Sequence, residues 1–233
     1  MIDGKDLIVL SSSRSSFYRL LSGIYYLELT TEQLEAIEAF RPSAEELGNQ
    51  DIACGFTMMS HFLRTYLGDA RQELAADFAH TILAIGAQNK RMALPYESVF
   101  TSAEGLLMQE SRDDVYLTFR REGTALAQGT DLPEDHLSFM FEFVAMLCDR
   151  FAKCVENGQL DEARRNLQVQ DGFIASHIDN WIDEYCTALE ASARTEFYRG
   201  LALVTRGWME SDAAFRRELS EALADNDETK VVA

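Results

Sequence analysis

Between Leu137 and Cys148 nearly every position is apolar: Leu137, Phe139, Met140, Phe141, Phe143, Val144, Ala145, Met146, Leu147 and Cys148. A helix that is apolar on almost every side has to be wrapped by other helices. The run is too short to span a bilayer, and Glu142, Asp149 and Arg150 interrupt it. A start signal precedes it. Asp131 is placed to cap, Pro133 fits a first turn, and Glu134 stands three residues after Asp131, where it can reach back to the cap. The pattern therefore predicts a central buried helix over Asp131 to Phe151 and onward to a left-handed stop at Asn157-Gly158. Its entrance carries a charged triplet, Glu134-Asp135-His136. Acids at a helix N-terminus complement the dipole, but a charged histidine there is disfavoured, so His136 calls for another reason.

The rest of the chain is built to wrap such a helix. Only three prolines, Pro42, Pro95 and Pro133, interrupt 233 residues, and no alternating strand pattern of useful length occurs. Helical spacing places a first helix after Ser12 or Ser13, with Phe17, Leu20, Leu21, Ile24 and Tyr25. A second follows Thr30 or Thr31 and stops before Pro42. A third opens at Ser43 and runs through Phe56, Met59 and Phe62 to Leu67, and Leu74 to Ile85 forms the next. Periodicity then fails from Gly86 to Thr101, a length that marks a functional loop or hinge. Ser111 starts a helix through Phe119. Beyond the central helix, Leu160 to Gln170 reads as a short polar surface helix or hinge. Two more helices carry Ile174 to Leu189 and Phe197 to Leu219. Residues 1–11 and 225–233 are weakly patterned and expected to fray. The expectation is an all-α, single globular helical domain of about nine to ten helices over residues 1–233.

Charge and motifs exclude several classes. A net charge of −18 repels nucleic-acid backbones and anionic membrane surfaces and suits a cationic partner, although it also serves plain solubility. The four histidines, His61, His80, His136 and His177, have no partner histidine at helical ligand spacing. No HExxH, EF-hand loop or CxxC pair occurs, so no metal is expected. A di-iron bundle needs a glutamate three residues before a histidine, and none is there. No phosphate loop, dinucleotide fingerprint or GxSxG elbow is present. Asp135 and His136 point about 100° apart on a helix and cannot form a triad contact. Cys54, Cys148, Cys154 and Cys186 read as buried free thiols of a reducing cytoplasm. Leu7 to Leu10 is too short for a signal core, so a cytoplasmic location without membrane insertion is expected.

Taken in order, several stretches resemble the TorD/DmsD family of cytoplasmic chaperones for molybdoenzyme maturation. Ser16-Phe17-Tyr18-Arg19-Leu20-Leu21-Ser22 is similar to the family's opening helix. Ala76-Asp77-Phe78 precedes the loop as an aspartate-tyrosine pair does in the family. Leu94 to Phe100 resembles its proline-aromatic loop, with the family's proline-rich run reduced to Pro95. His80-Thr81-Ile82-Leu83 lacks the usual arginine and phenylalanine before that loop. Leu132 to Leu137 matches the diagnostic glutamate-proline-x-aspartate-histidine motif in register from Pro133, with Leu132 in place of the acidic residue. His177 to Trp181 and Phe197 to Ala202 resemble its C-terminal helices.

The resemblance implies an all-helical fold, no catalysis and no cofactor. It implies binding of the twin-arginine leader, or the apo form, of a molybdopterin oxidoreductase subunit until cofactor is inserted, before export or assembly. The alternatives are a nucleotide-binding switch or hydrolase, for which no phosphate loop speaks, and a leader-independent assembly scaffold. A cationic, apolar leader calls for carboxylates beside apolar walls. The expected peptide site is Glu134, Asp135 and His136 with Pro95, Tyr96, Glu97 and Phe100, the leader lying between the loop and the start of the central helix. Met58-Met59, Met140 and Met146 would add adaptable surface where exposed. The polar stretch 158–172 leaves open a monomer or a helix-exchanged dimer.

Overall fold

The central helix is there, and what wraps it starts earlier in the chain than the periodicity indicates. The structure is a computed structural model and describes residues 4–40, 43–85 and 93–231. Pro42, residues 86–92 of the unperiodic stretch and both chain ends lie outside the described residues. Within them run α1 (Gly4–Tyr26), α2 (Thr31–Ala39), α3 (Ala44–Leu47), α4 (Gln50–Thr65), α5 (Ala70–Thr81), α6 (Glu97–Thr101), α7 (Glu110–Arg121), α8 (Leu137–Glu156), α9 (Leu160–His177), α10 (Ile182–Ser192) and α11 (Glu196–Val231). The one β feature among these residues is an isolated antiparallel bridge between Tyr96 and His136. The fold is all-α. The eleven helices exceed the expected nine to ten because short elements divide the chain. Gly48 takes a left-handed conformation after α3, and the Asn49 side chain accepts from Asp51 N and Ile52 N to start α4 afresh.

α8 packs along α1 on one side and α9 on another, while α11 packs along α4 and α10. Met140, Phe141, Val144, Leu147, Cys148 and Phe151 of α8 are fully enclosed. Burial of each such aliphatic or aromatic side chain contributes roughly 1.5–3 kcal/mol, so α8 is the main apolar anchor of the fold. Its exposed stripe is narrow. Glu142 and Asp149 on that stripe take the Arg19 guanidinium of α1 at 3.2 and 2.7 Å.

α1 begins at Gly4 rather than at Ser12 or Ser13. Leu7 explains the difference, because it completes a second core cluster with Phe151, Val155, Leu167, Leu219 and Leu223 under the far end of α8. Ser11 Oγ adds a hydrogen bond to Cys148 O at 2.8 Å. The apolar partners that make this first turn helical lie on α8, α9 and α11, out of reach of any local pattern. At the other end of the chain, α11 continues to Val231.

Leu160 to Gln170 is likewise not a separate surface helix. It is the first half of α9, continuous through Ile174 to His177. Two of its polar residues, Asn166 and Gln170, face inward, while Asp161, Glu162, Arg165 and Gln168 stay exposed. Arg14, fully buried, donates from Nε to Asp212 Oδ1 at 2.7 Å and from Nη1 to Gln170 Oε1 at 2.8 Å. Gln170 Nε2 donates to Asn166 Oδ1 at 2.8 Å. Arg216 donates to Asp212 Oδ2 at 2.9 Å and pairs with Asp171. This band ties α1, α9 and α11 together between the two apolar clusters. The joint between α8 and α9 is confined to residues 157–159, with Gly158 at φ 71°.

Two glycines set the crossing of α4 and α11. A Cβ on Gly200 would stand 2.6 Å from Gly55 O, and one on Gly55 would meet Gly200 O and Val204. The backbones touch, so neither position has room for a side chain. Asp77 on α5 then fixes the start of α11. Its carboxylate accepts from Thr195 N at 2.8 Å, Thr195 Oγ1 at 2.7 Å and Arg194 N at 3.1 Å.

The thiols are less uniform than expected. Cys148 and Cys186 are buried, and burial pushes each up to about 12. Cys154 is partly covered, and Cys54 is exposed.

Candidate functional site

The Glu134-Asp135-His136 triplet does not open a helix. The chain turns before α8, with His136 N donating to Pro133 O at 3.2 Å, and His136 rather than Asp131 is the N-cap. His136 Nδ1 accepts from Ser138 N at 3.2 Å, which requires a neutral ring with its proton on Nε2. Burial drives its titration down to about 3, so the ring stays neutral and remains an acceptor. This answers the dipole objection: His136 sits at the positive end uncharged. The ring also meets Tyr96 edge-on at 4.8 Å. Burial first, and the Asp135 carboxylate second, push Tyr96 up to about 12.

Asp135 is fully buried and turned toward the loop. Its Oδ2 accepts from Ser98 N at 2.9 Å and from Ser98 Oγ. Its main-chain O accepts from Glu97 N at 3.2 Å, and Pro95 O accepts from Leu137 N at 2.8 Å. Burial raises the Asp135 carboxyl, and the two Ser98 donors work against that rise. Glu134 turns the other way and accepts from Arg112 Nε of α7 at 2.6 Å. Each member of the triplet therefore holds a different element: Glu134 holds α7, Asp135 holds α6 and His136 holds α8. Contacts from Asp135 and His136 link the loop directly to the start of α8.

The other loop residues divide between core and cleft. Pro95 is buried. Phe100 is half-buried and stacks on Trp181 at 5.3 Å, edge-on to Tyr185 at 5.7 Å. Glu97 is only 3% exposed, yet it lines the wall of an open cleft on the far side of α6. Its carboxylate lies 3.1 Å from His177 Nδ1 and 3.4 Å from Asn180 Nδ2. His177, Asn180, Ser98 and Arg112 are not among the residues expected at the site. Their partners lie from 22 to more than 80 residues away, and no local spacing announces them.

The cleft has a volume of about 690 Å³ and runs between α6, α7 and the end of α9. Its charged lining is Glu97, Glu110 and Asp114 against a single arginine, Arg121, with His177 beside them. Thr101, Ser102, Ser111, Thr118 and Ser176 supply hydroxyls, and Leu117 supplies an exposed apolar wall. The chain between Ala103 and Gln109, both in the lining, exposes Leu106, Leu107 and Met108. Met108 is held at φ 61°, a conformation that costs a non-glycine residue roughly 1–2 kcal/mol. An acidic, hydroxyl-lined cleft with an apolar lip suits a cationic segment flanked by apolar residues. Among the described residues no group of three histidine, cysteine or carboxylate side chains is placed to hold a metal.

Comparison with known proteins adds a family. The family described as nitrate reductase delta subunit matches residues 49–187. The chaperone protein TorD of Vibrio cholerae (strain ATCC 39541) is 28% identical over 195 residues, covering 80% of this chain and 86% of the relative. TorD of Photobacterium profundum is 28% identical over 200 residues, covering 85% and 80%. TorD of Shewanella loihica is 25% identical over 218 residues, covering 87% and 92%. All three relatives are named as chaperones, not as enzymes.

Proposed function

The chain belongs to the TorD-like family described as nitrate reductase delta subunit, and from that premise we propose that it is a maturation chaperone for a molybdopterin oxidoreductase subunit. It binds the twin-arginine leader, or the apo-subunit that carries it, in the cytoplasm and holds it until cofactor is inserted. The observation that carries this reading is the cleft beside the Pro95–Phe100 loop. Three carboxylates face one arginine there, next to the exposed Leu106, Leu107, Met108 and Leu117. Guanidinium groups pair with carboxylates in fork-shaped contacts, and the apolar part of a leader needs an uncharged surface alongside. No helix among the described residues is long and apolar enough to cross a membrane.

Of the residues expected at the site, Glu97 lines the cleft, Glu134 is paired with Arg112 outside the lining, and Asp135, His136, Pro95 and Tyr96 are buried behind it. Isothermal calorimetry with the leader peptide of a molybdopterin oxidoreductase subunit tests the reading. Binding is expected, and it weakens as ionic strength rises because screening acts on the charge pairs. Capture of the full apo-subunit alongside a leader-deleted form separates leader reading from simple scaffolding. Failure to bind both the leader and the full apo-subunit would sink the proposal.

A further inference from the structure

Asp135 is the most distinctive acid of the Pro133–His136 turn, yet it is fully buried and does not line the cleft. One of its oxygens, Oδ1, has no hydrogen-bond partner. The other is saturated by Ser98 N and Ser98 Oγ. A cationic ligand in the cleft cannot touch this carboxylate without opening the turn. Its grip, however, extends to the cleft wall. Ser98 Oγ has one hydrogen and gives it to Asp135, so it serves as acceptor for Gln109 N at 3.3 Å and for Ser111 Oγ at 3.2 Å. Gln109 and Ser111 both line the cleft, Gln109 as the residue that precedes α7. The main-chain O of Asp135 also takes Glu97 N, the residue whose side chain does reach the cleft.

We infer that Asp135 is a positioning residue for client binding. It sets the direction of the Ser111–Ser98–Asp135 hydrogen-bond chain and so holds α6 and the N-terminus of α7 at the separation that forms the cleft. Glu97 is the carboxylate that meets the client's cationic group. This rests on the proposed function above, because the readout is binding of the leader.

The two roles separate by charge. Asp135→Asn removes the charge but keeps an amide oxygen able to accept both Ser98 donors. Asp135→Ala and Ser98→Ala break the chain. Glu97→Gln keeps the frame and removes the charge at the cleft. Calorimetry with the leader peptide, at low and high salt, is expected to give Asp135→Asn an affinity within about threefold of wild type, with the same salt dependence. Ser98→Ala and Asp135→Ala weaken binding together, by about tenfold, with salt dependence retained. Glu97→Gln weakens binding and flattens the salt dependence. Amide hydrogen exchange of Ser98 in the free protein reads the frame directly: slow in wild type and Asp135→Asn, fast in Asp135→Ala.

An Asp135→Asn protein that loses affinity and salt dependence as fully as Glu97→Gln overturns the inference, since the charge itself would then be the contact. Unchanged binding in Ser98→Ala overturns it as well, as does fast exchange at Ser98 in wild type. A wild type that binds neither the leader nor the full apo-subunit overturns the proposed function instead, and the client role of Asp135 falls with it.

Discussion

Removing Asp212 is the most severe single change the buried polar band offers. This carboxylate takes Arg14 Nε at 2.7 Å, Arg14 Nη2 at 3.3 Å and Arg216 Nε at 2.9 Å, with Arg14 fully buried. In Asp212→Ala, Arg14 keeps only Gln170 as a partner and stands as an uncompensated guanidinium in the core. Stranding a buried charge in this way costs about 3–5 kcal/mol, a large part of the roughly 5–15 kcal/mol that holds a domain folded. The reciprocal change is milder. Arg14→Met leaves Asp212 paired with Arg216 and fills the volume with an adaptable apolar chain, so about 1–2 kcal/mol is expected. Urea unfolding followed by circular dichroism gives both values. With a slope of roughly 2–3 kcal/mol per molar urea, Asp212→Ala lowers the midpoint by roughly 1–2.5 M. The double variant loses less than the sum, because the stranded charge is gone. A cost for Arg14→Met equal to or above that for Asp212→Ala, at unchanged slope, refutes the argument that the stranded guanidinium dominates.

His136 supplies a pH test. The folded chain keeps it neutral down to about 3, whereas the unfolded chain protonates it near 6.5, so the unfolded state binds the extra proton and stability falls as pH falls between those values. The raised Asp135 carboxyl acts in the opposite sense at the acid end, and comparison with His136→Asn, which retains a capping oxygen, cancels it. From pH 6 toward pH 4 the stability of wild type relative to His136→Asn is expected to drop by about 1.4 kcal/mol per pH unit, and parallel curves contradict the assignment. Gly200→Ala forces a methyl group against Gly55 O and Met59, and a loss of about 1–3 kcal/mol in thermal or urea unfolding is expected, with no loss pointing to a looser crossing than described.

The helices were legible wherever their partners were supplied by a 3.6-residue repeat. α8 is the clearest case, since its apolar density alone demands a wrapped position. The resemblance in the Pro133–His136 turn identified the family but not the job of the residues that carry it. Glu134 and Asp135 look like acids offered at a helix start. Their partners, Arg112 and Ser98, lie 22 and 37 residues upstream, and only the fold brings them together. α1 and α9 teach the same lesson from opposite sides. The turn around Leu7 seemed unanchored because its apolar partners come from α8, α9 and α11. The first half of α9 seemed a surface segment because Asn166 and Gln170 are polar, although both belong to a buried network whose other members are Arg14 and Asp212. Local hydropathy does not distinguish a polar residue that faces water from one that faces a buried guanidinium.

α7 meets the rest of the protein through Val115, Phe119 and the Arg112–Glu134 pair, while Glu110, Asp114 and Leu117 point outward along the cleft. Apart from Ser111, which both lines the cleft and reaches Ser98, what holds this helix and what it presents are different residues of the same turns. Substitutions at Glu110, Asp114 or Leu117 alter the face of the cleft while leaving the buried contacts of Val115 and Phe119 in place. The cleft's charge and apolar lip can therefore change while the wall that supports them stays the same.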